Sequence, residues 1–145
     1  MRRLIILGGL LWSSLFASAA ELEFRNPEGF RELGLPFSQA VRVDDLLFLS
    51  GQLGSRPGTS ELVEGGVEAE ARQTMENIKA VLTANGLGME RVAKCTLFLQ
   101  DINDWPAVND VYKTYFGENP PARSALAASG LALGALVEIE CIAAF

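Results

Sequence analysis

Apolar residues recur along this chain with two different periods, and the change of period marks its elements. Over residues 67–85, Val67, Ala71, Met75, Ile78 and Leu82 fall three or four apart, while Glu68, Arg72, Glu76 and Lys79 take the other side. That spacing predicts an amphipathic helix with one face on a core, and Gly86 is its expected stop. Over 92–99 the period drops to two. Ala93, Cys95, Leu97 and Leu99 make an apolar face, and Val92, Lys94, Thr96 and Phe98 a more polar one, as in a half-buried strand. Apolar runs at 37–43 and 46–53 surround Asp44-Asp45 and predict a hairpin. A second helix should begin at Asn103 or Asp104 as cap, with Pro106 in its first turn. Trp105, Val108, Tyr112, Tyr115 and Phe116 would form its buried side, and Gly117 would end it. Residues 21–35 read as an extended lead-in and 54–66 as a loop, both broken by Pro and Gly.

Residues 120–145 are almost wholly apolar or small, yet carry Arg123, Glu138 and Glu140. Two alternating runs flank a small-residue turn at 129–134, which predicts two more strands. In the second, Val137, Ile139, Cys141 and Ala143 share a face suited to a core, and Glu138, Glu140 and Ile142 share the other. Charged groups are seldom buried unless paired. Arg123 and a glutamate are therefore a structural ion pair, part of a solvated face, or a site. As a site they have a clear chemistry. A guanidinium fork matches a carboxylate bidentately, and a carboxylate in a partly desolvated cleft orients water and takes its proton. Periodicity does not choose between Glu138 and Glu140. The order β-β-α-β-α-β-β predicts an α+β domain, one mixed sheet with two helices packed on one face. Phe98, Thr96 and Ile142 would lie on the uncovered face beside the charges, and an open apolar face predicts self-association.

Composition narrows the chemistry. The 145 residues suit one domain and include no histidine, which excludes a Ser-His-Asp triad and histidine metal ligation. Two cysteines without histidine do not make a zinc site, and no metal or organic cofactor is implied. Cys95 and Cys141 fall on apolar strand faces, either as two buried small hydrophobes or as a disulfide if the strands bring them together. At the N-terminus, Arg2-Arg3, an apolar run over 4–16 and Ala17-Ser18-Ala19 read as a signal peptide, 1–20, cleaved after Ala19 or Ala20. The run is shorter than the roughly 20 residues a spanning helix needs, although an uncleaved anchor is the alternative. The expected product, 21–145, is periplasmic or secreted, with no stable membrane association after cleavage. Losing Arg2 and Arg3 takes the formal net charge from −6 to −8, which disfavours nucleic acid as a partner.

Pro121-Ala122-Arg123-Ser124, a small-residue spacer and then Val137-Glu138-Ile139-Glu140 resemble the C-terminal signature of the Rid (YjgF-type) family of reactive-intermediate deaminases. The resemblance extends upstream to Phe48-Leu49-Ser50-Gly51-Gln52 and to Val108-Asn109-Asp110-Val111-Tyr112, and spans roughly 35–145. It implies a chorismate-mutase-like fold and a homotrimer with sites in the clefts between subunits. It also implies hydrolysis of 2-iminobutanoate, 2-iminopropanoate and related imines or enamines to 2-keto acids and ammonia. Arg123 would bind the substrate carboxylate. Glu138, the first glutamate of the motif, would align water, with Ser50, Gly51 and Asn109 shaping the cleft. Two positions depart from the pattern. Phe37 stands where the archetypal deaminases carry tyrosine, and Ala125 where several members have cysteine, so that only its backbone carbonyl is on offer. Export is a third departure, since the familiar substrates arise in the cytosol. The alternative functions are an exported trimer that binds small carboxylate metabolites without turnover, or a holdase-like chaperone. The endoribonuclease role ascribed to some members fits poorly with an acidic chain that lacks histidine.

Overall fold

The computed structural model describes residues 19–145, so the expected leader lies, but for its last two residues, outside the described residues. Seven strands form one sheet: β1 (Leu22–Arg25), β2 (Ala40–Val43), β3 (Leu46–Leu49), β4 (Gln52–Leu53), β5 (Val92–Leu99), β6 (Ala122–Ala127) and β7 (Val137–Ala144). Their order is β1-β2-β3-β7-β5-β6, with β4 also paired to β7. All pairs are antiparallel except β5 with β6. Helices α1 (Gly66–Ala84) and α2 (Trp105–Tyr112) pack together on one face, which is the α+β arrangement the sequence predicts. No helix among the described residues is long and apolar enough to cross a membrane.

The core lies between that face and the helices. Met75, Ile78 and Leu82 of α1 and Val108 of α2 meet Leu97 of β5 and Val137 and Ile139 of β7, all fully buried. The alternation read from β7 is therefore correct: Val137, Ile139, Cys141 and Ala143 point inward. Cys95 and Cys141 are direct cross-strand partners with Cα atoms 4.1 Å apart, and they form a disulfide. The alternative of two separate buried thiols is thus replaced by one cross-link in the centre of the sheet.

Five details differ from the sequence expectations or settle what they left open. The lead-in contributes a strand, β1, before a short 3-10 turn. The run expected over 46–53 breaks at Ser50-Gly51 into β3 and β4, which lie end to end along β7. A register shift between Val92 and Lys94 turns Val92 inward and leaves Ala93 exposed, because a bulge inserts one residue and reverses the alternation. The second helix is entered through a 3-10 turn, Ile102–Asp104, in which the Asp101 side chain accepts from the Asn103 N–H. Finally, β6 is an edge strand separated from β7 by β5, so the last two strands in sequence do not pair with each other.

Among the described residues nothing covers the face opposite the helices. One row across it reads Phe24, Val41, Phe48, Ile142, Lys94, and Phe24 and Phe48 are exposed.

Candidate active site

The register sorts the candidate residues by face. Arg123 of β6 is opposite Cys95 of β5, and Ala125 is opposite Leu97. Cys95 and Leu97 point into the core, so Arg123 and Ala125 project on the helix side. Glu138 of β7 is opposite Phe98 of β5 and Leu53 of β4, on the uncovered side. Within one chain, therefore, the guanidinium and the carboxylate lie on opposite faces of the sheet. Neither Glu138 nor Glu140 pairs with Arg123; the ion-pair reading gives way to a hydrogen bond from Arg123 Nη1 to Asn109 Oδ1 at 2.5 Å.

The first half-site is built on α2. Trp105, Asn109 and Tyr112 are spaced four and three apart, so they share one helix face, and that face looks at Arg123. The guanidinium carbon lies 5.0 Å from the Tyr112 ring centre and 5.8 Å from that of Trp105, within cation–π range. Asn109 thus fixes one edge of the fork and two rings flank it. Beside it lies a cleft of about 340 Å³ whose lining includes Tyr112, Phe116, Pro120, Pro121 and Arg123. Burial pushes the Tyr112 phenol up to about 12, with Arg123 pulling the other way, so it stays protonated at neutral pH. Its hydroxyl is buried without a hydrogen-bond partner among the described residues.

The second half-site is built where β3 gives way to β4. The Gly51 backbone comes so close to Glu138 that a Cβ there would sit 2.0 Å from Oε1, so any side chain at this position would displace the carboxylate. Burial pushes the Glu138 carboxyl above its ordinary value, and the charge of Glu140 adds to the effect. Ser50 Oγ donates to the Ser38 carbonyl at 2.7 Å, and the Ser50 N–H donates to the Gln39 carbonyl. Asn26 ties the lead-in to the same point, accepting from the Gln39 N–H at 2.7 Å and donating to Ser38 Oγ. Phe37, the residue before Ser38, is 51% exposed and meets Phe30 edge-on.

The structure thus groups Arg123 with Asn109 and Ala125, and Glu138 with Gly51, next to Ser50 and Phe37. Sequence reasoning missed Trp105, expected in the buried side of α2 but 46% exposed, and missed that Tyr112 faces Arg123. The spacing of both from Asn109 was the available signal. Among the described residues no cluster of three or more Cys, Asp and Glu is placed to hold a metal ion.

Comparison with known proteins gives this geometry a family. Residues 32–145 match a family model described as endoribonuclease L-PSP. The chain belongs to the L-PSP/Rid family. A 2-iminobutanoate/2-iminopropanoate deaminase of Capra hircus is 51% identical over 108 residues, covering 74% of this chain and 79% of the relative. Protein DfrA of Myxococcus xanthus is 50% identical over 110 residues, covering 74% and 84%. Among solved structures, E. coli TdcF with bound serine superimposes with a TM-score of 0.72 at 36% identity, covering 77% of this chain and 89% of that one. Names within the family are mixed, since a Thermotoga maritima structure called a putative endoribonuclease superimposes with a TM-score of 0.73 at 41% identity, covering 77% and 87%. The single mixed sheet with two helices is the Rid fold.

Proposed function

We propose that this protein is an imine deaminase of the Rid family, hydrolysing short 2-imino acids to 2-keto acids and ammonia in sites completed between copies of a homotrimer. The observation that carries the reading is the separation of the two half-sites. Arg123 offers a carboxylate-binding fork with no base beside it. Glu138 offers a base of raised proton affinity with no cation beside it. A neighbouring copy seated on the open apolar face would set one against the other. The names of relatives at about 50% identity support the reaction class.

In this mechanism the substrate carboxylate docks on the free edge of Arg123, while Asn109 holds the other edge. A water between Glu138 and the imine carbon gives its proton to the carboxylate as its oxygen bonds to carbon. Glu138 returns that proton to nitrogen to give a neutral carbinolamine; the carboxylate then takes the proton of its hydroxyl and passes it to nitrogen as the C=O forms, so that ammonia leaves and Glu138 is again ionised. One water enters and one ammonia leaves, with no net oxidation. Imines already hydrolyse in water, so positioning and charge stabilisation supply what acceleration is needed. Export to an oxidising compartment belongs to the same proposal and is supported by the Cys95–Cys141 disulfide.

The test is keto-acid release from freshly generated 2-iminopropanoate. Arg123→Ala and Glu138→Ala should each slow it by about a hundredfold or more; equal rates for all three proteins remove the enzyme claim. Phe37, which brings no hydroxyl, favours a second reading as a binder of small carboxylates. Calorimetric binding of 2-oxobutanoate without any turnover of the imine would decide for it.

A further inference from the structure

The environment of Arg123 bears on which imino acids the site accepts. On α2 the apolar side chains of Val108, Val111 and Tyr112 are all buried. Trp105, the large ring at the start of the helix, instead has 46% of its surface exposed. Its ring is not consumed by the core, and it lies on the same helix face as Asn109, beside the guanidinium. A large ring left open next to a fixed charge is the usual make-up of a ligand wall, in which an apolar body is gripped while a polar group sets orientation.

We propose that Trp105 is a specificity-determining residue and that the site prefers 2-imino acids with bulky apolar side chains, branched or aromatic, over 2-iminopropanoate. The proposal rests on the deaminase reading of the same site. Once the carboxylate is held on Arg123, the substituent on the imine carbon must lie within a few ångströms of the groups flanking the fork. A methyl group leaves the indole uncovered, whereas a branched or aromatic side chain covers it. The neighbouring surface is consistent with this. Ala125, two residues along β6 on the face of Arg123, leaves room with its single methyl. Tyr112, Phe116, Pro120 and Pro121 supply apolar lining to the adjoining cleft of about 340 Å³.

The experiment has a kinetic arm and a binding arm. In the first, 2-iminopropanoate, 2-imino-4-methylpentanoate and 2-imino-3-phenylpropanoate are generated in place from their amino acids by an oxidase, and kcat/KM is compared. The two bulky substrates should lead by about tenfold or more, the scale of a methylene or two in an apolar pocket. Trp105→Ala should reduce that ratio about tenfold, and Trp105→Phe should keep most of it. A lead for 2-iminopropanoate, or a ratio indifferent to Trp105→Ala, overturns the proposal. In the second arm the full chain is titrated with pyruvate and with 4-methyl-2-oxopentanoate while tryptophan emission is followed. The chain has two tryptophans, Trp12 and Trp105, so the change lost in Trp105→Phe is the share of Trp105. Tighter binding of the branched acid with a Trp105 signal is expected, and equal binding overturns the proposal. If no imine is hydrolysed at all, the deaminase reading fails, while this titration still decides the side-chain preference.

Discussion

Glu138 is held in a position that raises the energy of its charged form. It sits partly buried on a strand, two residues from Glu140 on the same face, against a backbone that leaves no room for a side chain at Gly51. The first two strengthen the carboxylate as a base and work against stability. The sign follows from linkage. With a raised pKa in the folded state, the folded protein holds the Glu138 proton more tightly than the unfolded chain does. The group's cost is therefore absent at pH below the ordinary carboxylate value and is fully present once pH has risen through the raised one. Glu138→Gln should raise the melting temperature at neutral pH, by an amount that shrinks on acidification, while lowering deaminase activity by about a hundredfold or more. A melting temperature that falls at pH 7 would contradict this account of the residue. Gly51→Ala should displace the Glu138 carboxylate and cost about tenfold or more in kcat/KM, with a normal fold by circular dichroism. Unchanged kinetics would show that the close approach has no role in turnover.

At the scale of elements, the disulfide is the feature with the plainest consequence. It joins β5 to β7, the strand beside Arg123 to the strand that carries Glu138, across a sequence separation of 46 residues. Closing a loop of that length constrains the unfolded chain, and losing the bond should cost about 2–4 kcal/mol. The double variant Cys95→Ser, Cys141→Ser should show this as a lower denaturant midpoint than the oxidised protein. Coincident midpoints would mean the bond adds nothing. The elements themselves were largely legible. The 3.6-residue period gave α1, and strict alternation gave β7 and most of β5. What escaped were local decisions that pairing makes. The bulge at Val92–Lys94 reverses Ala93, and the run over 46–53 breaks at Ser50-Gly51, where the Gly51 backbone lies against Glu138. Trp105 looked like core because its spacing is that of a buried face, yet it lies at the first position of α2, next to an edge strand rather than over the sheet centre. The grouping of the motif residues into two half-sites was not legible, since parity along a strand fixes a face only once the partner strand is known.

For the whole molecule, the helices cover one side of the sheet, and nothing among the described residues covers the other. The uncovered row from Phe24 to Ile142 is apolar, and Lys94 and Glu140 lie among it with opposite charges. Such a face is suited to self-association, and sedimentation should give a trimer. Association is also what the proposed chemistry needs, because one copy presents its fork and its base on opposite sides of a single sheet. The most direct measurement mixes two inactive proteins. Arg123→Ala and Glu138→Ala variants are co-expressed with different tags, the mixed trimers are isolated, and release of keto acid from 2-iminopropanoate is followed. If each site takes Arg123 from one copy and Glu138 from its neighbour, every mixed trimer has one intact site of its three, and mixing restores about one third of the wild-type rate. If both groups act from the same chain, or neither acts, mixing restores nothing, and the account of the site is contradicted.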